Sequence, residues 1–186
     1  MGIILASKSP RRQLLLKEIF EDFKVVTSDA SEVFLLETPE ANVMNVSRNK
    51  AEAIERNYDD LVIGSDTTVY MNGKYYGKPE NQADAKRMLR ELSGNEHIVY
   101  TGVCVIYKDT INCFCDIAYV NIYKLSDEFI DRYILSGSPM DKAGAYGIQD
   151  GGIVESYRGD KSTIMGLPLK MLKVKLRDIM EDLHGY

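Results

Sequence analysis

Residues 61–78 read LVIGSDTTVYMNGKYYGK. Leu61, Val62 and Ile63 form an apolar run that ends at Gly64, Ser65 and Asp66, and the β-branched Thr67, Thr68 and Val69 carry the strand onward to Asn72-Gly73. Asn-Gly between two strand-like runs is the strongest short-range hairpin signal, because both central residues of the tight turn need a positive φ. Asp66 therefore falls where a buried strand leaves the core, beside small residues that leave room in a cleft. That is a good seat for a catalytic carboxylate. It equally suits an aspartate that bonds to nearby backbone amides and shapes the turn, and these residues alone do not choose between the two.

The rest of the chain sets the bounds. Its 186 residues suit one domain of two lobes around a common sheet, with enough length to bury a substantial core. Hydrophobic residues make up 45% and charged residues 27%, ordinary values for a globular protein. A net charge of −5 and a pI of about 5.2 exclude a general nucleic-acid binder, which needs a concentrated basic face. A polyphosphate ligand would have to meet a local basic pocket instead. Lys8, Arg11 and Arg12 precede any long apolar run and no stretch reaches transmembrane length, so no secretory signal or membrane association is expected and the cytoplasm is the expected compartment. Cys104, Cys113 and Cys115 are an odd set with no export signal, and the two histidines, His97 and His184, make no metal-ligand spacing with them. Reduced, buried thiols are expected, with Cys104 facing Cys113 across a hairpin that turns near Lys108-Asp109.

Taken in order, Ile3–Ala6 reads as a short strand, with Ser9 as N-cap and Pro10 as first residue of a helix carrying Leu14, Leu15, Leu16 and Ile19. Free amides at such a switch attract phosphate, and arginine adds a planar fork of donors, yet a capped helix with two solvated arginines has the same pattern. Lys24–Thr27 predicts a second strand, running into an acidic loop with Ser28, Asp29, Ser31 and Glu32. A helix follows from Thr38-Pro39-Glu40 to about Arg56, with Val43, Val46 and Ala53 among its apolar positions and Lys50 along it. Beyond the central hairpin, Gly77-Lys78-Pro79 turns into a helix capped by Asn81, with Asp84 at the capping-box position and Gly94 at its end. Two long strands span His97 to Tyr123, Ser126 starts a short helix, and Ser138–Gly152 forms a glycine-rich loop with Lys142, Tyr146 and Gln149. A loop this long in a compact chain is functional or disordered, and its Tyr and Ile speak for order. Ile153–Tyr157 predicts a strand, Arg158-Gly159-Asp160 a turn, and Leu169, Leu172, Leu176, Ile179 and Leu183 a last amphipathic helix.

Several distant segments thus each place a basic or polar group on a loop: Arg11 and Arg12, Lys78, Lys142 and Gln149. With Asp66 they suit a pocket for a multiply charged anion and a divalent cation such as Mg2+ or Mn2+, which takes one or two carboxylates together with substrate phosphates. Hydrolysis of a phosphoric anhydride follows, and no Ser-His-Asp or Cys-His nucleophile set is discernible.

The blocks LASKSPRR (Leu5–Arg12), GSDTTV (Gly64–Val69), GKP (Gly77–Pro79), LSGNEHIVYTGV (Leu92–Val103), DKAGAYGIQ (Asp141–Gln149) and MGLPL (Met165–Leu169) resemble, in order and over the whole chain, the signature blocks of the Maf family of nucleoside triphosphate pyrophosphatases. The resemblance implies an α/β fold similar to the inosine triphosphate pyrophosphatases (Maf/Ham1): a mixed, twisted sheet flanked by helices, with a cleft between two lobes. It implies a metal-assisted hydrolase giving a nucleoside monophosphate and pyrophosphate. Asp66 matches the family's proton acceptor. Arg11, Thr67 and Gln149 match the residues linked to substrate choice in the dTTP/UTP branch. Ser7, Arg12, Lys50, Lys78 and Lys142 fall in segments resembling the phosphate-binding parts, and Glu32 corresponds to an acidic residue near the metal, although the loop around it departs from the usual pattern. Ser65 and Thr68 also depart mildly from that pattern. Gln149 carries a donor and an acceptor, which suit the O4 and N3–H edge shared by uracil and thymine.

Two other readings stay open at this level. The same pocket suits a nucleotide-binding regulator of cell division without turnover, and it suits an enzyme for house-cleaning of modified pyrimidine nucleotides such as 5-methyl-UTP or pseudo-UTP. A homodimer would cover the exposed sheet edge.

Overall fold

The computed structural model describes residues 1–27, 29–30 and 32–184, with the side chains of 180 and 182–184 outside the description. Ser28 and Ser31 of the acidic loop, and the Leu183 side chain, therefore lie outside the described residues.

Among the described residues seven strands form one sheet: β1 (Ile3–Ala6), β2 (Lys24–Val25), β3 (Leu61–Met71), β4 (Lys74–Tyr76), β5 (Glu96–Tyr107), β6 (Thr110–Ile122) and β7 (Val154–Arg158). The order is β2-β1-β3-β5-β6-β7, with β4 paired to β3 off that path. β1 runs parallel to both β2 and β3, with Ile3 opposite Leu61 and Leu5 opposite Ile63. β4 and β7 pair antiparallel, so the sheet is mixed. Asn72 (φ 51°) and Gly73 (φ 79°) turn β3 into β4 as the Asn-Gly signal requires. Lys108-Asp109 does the same between β5 and β6.

The described α-helices are α1 (Pro10–Leu16), α2 (Pro39–Glu52), α3 (Gln82–Leu92), α4 (Asp127–Leu135), α5 (Lys161–Met165) and α6 (Leu169–His184). Ser9, Thr38, Asn81 and Ser126 each cap a helix by accepting from the backbone N–H three residues on, which satisfies a donor that has no intrahelical partner. Asp84 bonds to the Glu80 amide rather than to the cap residue's own, so the expected capping box is replaced by a tie to the preceding turn. α2 stops at Glu52, before the expected Arg56, and Ala53 is its exposed C-cap; Ala51 and Ile54 are the buried positions there. β2 is shorter than expected: only Lys24 and Val25 pair in register with β1, and the ladder ends with the Val26 amide donating to the Leu5 carbonyl at 3.1 Å.

The chain divides into two compact units. One holds Met1–Asp66, Thr101–Asp116 and the residues from Met165 onward; the other holds Thr67–Tyr100 and Ile117–Ile164. In the first unit alternate residues enter separate clusters. Ile3, Leu5, Leu61, Ile63, Val103 and Val105 pack with Leu15, Leu16 and Leu172 of α1 and α6. Ile4, Ala6, Val62, Cys104 and Ile106 pack with Ala51 and Ile54 at the end of α2. A strand covered on both faces needs an unbroken apolar run, which is why Leu61-Val62-Ile63 does not alternate. Each fully buried leucine contributes roughly 1.5–3 kcal/mol relative to exposure. The second unit has its own core, in which Met88, Leu89 and Leu92 of α3 and Ile130 and Ile134 of α4 meet Val69, Val99, Val120 and Tyr146.

Cys104 and Cys113 are joined as a disulfide, a correction to the expected reduced thiols, and Cys115 is free. The tight Lys108-Asp109 turn sets the register that places these two cysteines side by side, with Cα atoms 4.1 Å apart. No helix among the described residues is long and apolar enough to cross a membrane.

Candidate functional site

The first unit assembles a polar cluster from four segments. At the β1-to-α1 switch, Ser7 Oγ accepts from the Ser9 amide and from Arg12 Nη1, both at 3.2 Å. Arg12 Nε donates to the Gly166 carbonyl at 2.8 Å, so the arginine is fixed at both ends of its guanidinium. Ser65 Oγ lies 2.9 Å from that same carbonyl and 3.1 Å from the Gly102 carbonyl. The mild departure at Ser65 thus has a structural use: it ties the strand beside Asp66 to the MGLPL segment. Burial lowers the Arg12 guanidinium below its ordinary pKa, opposed first by the charge of Asp66.

Asp66 is buried at the end of the apolar run of β3. Its Oδ1 accepts from Lys50 Nζ at 2.8 Å, and Glu32 Oε1 lies 2.8 Å from the same nitrogen. Lys50 comes from α2, whose side chains would ordinarily lean to solvent, yet only 12% of this one is exposed. The reason is the close approach of α2 to the sheet. A Cβ on Gly64 would stand 2.2 Å from the Ser47 carbonyl oxygen, and one on Gly102 2.4 Å from the Val43 carbonyl, so the helix backbone lies directly on two glycines. Lys50 is carried inward with it. Glu32 is 58% exposed, as an acidic loop residue is expected to be, but it reaches back to the cluster.

Asp66 Oδ1 and Glu32 Oε1 therefore meet on one ammonium, and both are oxygen donors of the kind a hard divalent cation takes. Among the described residues no group of three or more His, Cys, Asp and Glu side chains could hold a metal ion. Two carboxylates are the number a hard divalent cation takes when substrate oxygens and water complete its shell, and are too few for an all-protein cage.

Apart from Arg11, the remaining expected residues lie in the second unit. Thr67 follows Asp66 on β3 and is half-buried. Lys78 is exposed on the turn after β4, and the Gly77 carbonyl before it accepts from the Gly144 amide at 3.0 Å, which fastens this turn to the Ser138–Gly152 loop. That loop is ordered by two short 3-10 turns, Ser138–Asp141 and Ala143–Ala145. Lys142 is turned into its own loop, where Nζ donates to the Ser138 carbonyl and Oγ and to Asp141 Oδ1. Gln149 is exposed on the turn that Asp150 closes through its amide to the Gly147 carbonyl at 3.0 Å. Arg11 sits beside Arg12 in the first turn of α1 and is half-buried. The structure therefore groups Ser7, Arg11, Arg12, Glu32, Lys50 and Asp66 in one unit, and Thr67, Lys78, Lys142 and Gln149 in the other. Sequence reasoning missed the Gly166 carbonyl that anchors Arg12, and Tyr133, Ser138 and Asp150, which hold the Gln149 loop; no local pattern marks them.

In fold the chain is similar to the Ham1 protein of Staphylococcus aureus, with a TM-score of 0.55 at 14% identity over 96% of this chain and 99% of that one. The HAM1 protein of Coxiella burnetii gives a TM-score of 0.52, again at 14% identity, over 96% of this chain and 99% of that one. The mixed sheet and its helices are thus of the Ham1 type. The Maf-like protein family matches residues 2–179, and the chain belongs to it. Similar relatives carry the name dTTP/UTP pyrophosphatase. One from Clostridium perfringens is 46% identical over 92% of this chain and 94% of its own length. Another from Thermosipho melanesiensis is 45% identical over 98% of each chain. A third, from Agathobacter rectalis, is 42% identical over 97% of this chain and 98% of its own.

Proposed function

We propose that this protein is a pyrophosphatase that hydrolyses dTTP and UTP to the nucleoside monophosphate and pyrophosphate, acting in the cytoplasm where these nucleotides are made and used. The observation that carries the reading is the convergence of Asp66 and Glu32 on Lys50, in the same unit as the Ser7–Arg12 switch. The names of relatives at 42–46% identity over nearly the full chain support the substrate class. Arg12, with Ser7 and the amides of α1, is suited to hold phosphate oxygens through charge-assisted hydrogen bonds. Asp66 accepts the proton of the attacking water as its oxygen bonds to phosphorus, the bridging P–O bond between the α and β phosphates breaks, and pyrophosphate leaves. Lys50 and Arg12 supply fixed positive charge as negative charge shifts to the leaving group. Asp66 and Glu32 would hold a divalent cation, Mg2+ or Mn2+, which when bound supplies neutralisation of phosphate charge and orientation of water. Lys78 and Lys142 add positive charge in the second unit, while Arg11, Thr67 and Gln149 choose the nucleotide.

The test is pyrophosphate release from dTTP, UTP, CTP, dATP, GTP and 7-methyl-GTP with magnesium or manganese, for the wild type and Asp66→Asn. Release confined to dTTP and UTP, and lost by roughly a hundredfold or more in the variant while nucleotide still binds, is the expected result. Binding without release from any nucleotide would sink the enzyme reading.

A further inference from the structure

The turn that displays Gln149 is tied at both ends by one phenol. Tyr133, on α4, accepts from the Gly147 amide at 3.2 Å and donates to Asp150 Oδ2, so its hydroxyl touches the first and last residues of the Gly147–Asp150 turn. Ser138 Oγ donates to the same Asp150 oxygen at 2.8 Å, and Lys142 Nζ donates to Ser138 Oγ at 3.0 Å, which closes the network. Gly147 is packed so closely that a Cβ would stand 2.8 Å from Asp150 Oδ2 and 2.9 Å from Lys142 Cε. Burial and the Asp150 charge raise the Tyr133 pKa, so the phenol stays a donor at neutral pH. Between the two fixed ends Gln149 alone presents an exposed polar side chain.

We propose that Tyr133 is a positioning residue for substrate choice: its hydroxyl ties both ends of the turn that carries Gln149 and holds that carboxamide in place for the O4 and N3–H edge of uracil or thymine. This rests on the reading of Gln149 as the base-selecting residue. A side chain on a loose turn would have to lose its freedom on binding, and that cost weakens the selective contact; a turn fixed in advance avoids it. Lys142 and Ser138 then serve the loop's rigidity through Asp150.

Tyr133→Phe keeps the ring and removes the hydroxyl. The expected result is a fall of about fivefold to tenfold in the ratio of kcat/KM for UTP over CTP, carried by a higher KM for UTP with kcat within about twofold of wild type. In a Gln149→Ala background the same substitution should lower the ratio no further. Asp150→Asn, which removes the charged acceptor but keeps the shape, should move the ratio the same way and guards against a fold-specific effect of the first variant. A lower thermal midpoint with an unchanged ratio would make the network structural only, and an equal fall in the Gln149→Ala background would place the action of Tyr133 elsewhere; either overturns the proposal. If Gln149→Ala alone lowers the ratio while Tyr133→Phe does not, the positioning role fails and the base-selecting role stands. If Gln149→Ala leaves the ratio untouched, the base-selecting role fails and the positioning role with it.

Discussion

Lys50 Nζ lies 2.8 Å from Asp66 Oδ1, and the same ammonium holds Glu32, so a monovalent cation occupies the space between the two carboxylates proposed for a divalent one. A metal that takes both oxygens must displace the ammonium from between them. Lys50→Met should therefore have opposite effects on two readouts. Turnover should fall by about tenfold to a hundredfold through the loss of a positive charge near the reacting phosphates. Mn2+ binding to the free protein, read by calorimetry, should tighten, since its competitor is gone. Weaker Mn2+ binding in the variant would show that these carboxylates are not where the metal goes.

Gly64 and Gly102 let the backbone of α2 rest on the sheet, and a methyl group at either position meets main-chain atoms that have no rotamer to move to. Gly102→Ala should cost roughly 1–3 kcal/mol, the usual cost of overpacking. In a chain of this length that lowers the thermal midpoint by about 2–12 °C. Turnover should fall as well, because Lys50 rides on α2. Gly151→Ala meets open space and should change the midpoint by about 1 °C or less. Equal midpoints for the two variants would show that α2 has room to shift without cost.

His97 is fully buried in the second unit with Nε2 2.7 Å from Tyr146 Oη, and burial lowers its pKa from 6.5 to about 4. Between those values the unfolded chain binds a proton that the folded one refuses. The stability associated with neutral His97 is therefore complete above pH 6.5 and is lost as pH falls toward 4, with a total of about 3 kcal/mol at stake. Urea unfolding at about pH 7.5 and about pH 5 should show a loss of roughly 2 kcal/mol in the wild type that His97→Gln lacks. An identical pH slope in both proteins would remove His97 as its source.

The elements legible in the sequence are those whose cause is local. The four N-caps, the Asn72-Gly73 turn and the strand that starts at Leu61 all follow from neighbours a few residues apart. Three local patterns were not enough. The end of α2 at Glu52, the short β2 and the extra helix α5 each depend on what distant segments leave free to pair or pack. The same holds at the candidate site. Asp66 and Arg12 stand out as residue types at a strand end and a helix start, but a lysine in mid-helix carries no mark of burial. Lys50 turns inward only because two glycines, one of them some fifty residues further along the chain, admit its helix to the sheet. The sequence shows the facing of Cys104 and Cys113, because hairpin register is local, but the expectation of reduced thiols rests on compartment chemistry and fails at this pair.

β3 passes from one compact unit to the other between Asp66 and Thr67. The residue proposed to accept a proton and its immediate successor, proposed to help choose a base, are joined by one peptide bond and supported by different cores: Leu61 and Ile63 behind the first, Val69 and Tyr76 beyond the second. On those proposed roles, mutations that reshape the second core would alter which nucleotide is accepted without disturbing the packing beneath Asp66. Chemistry and preference would then be separately heritable, and descendants could change diet while keeping the same reaction.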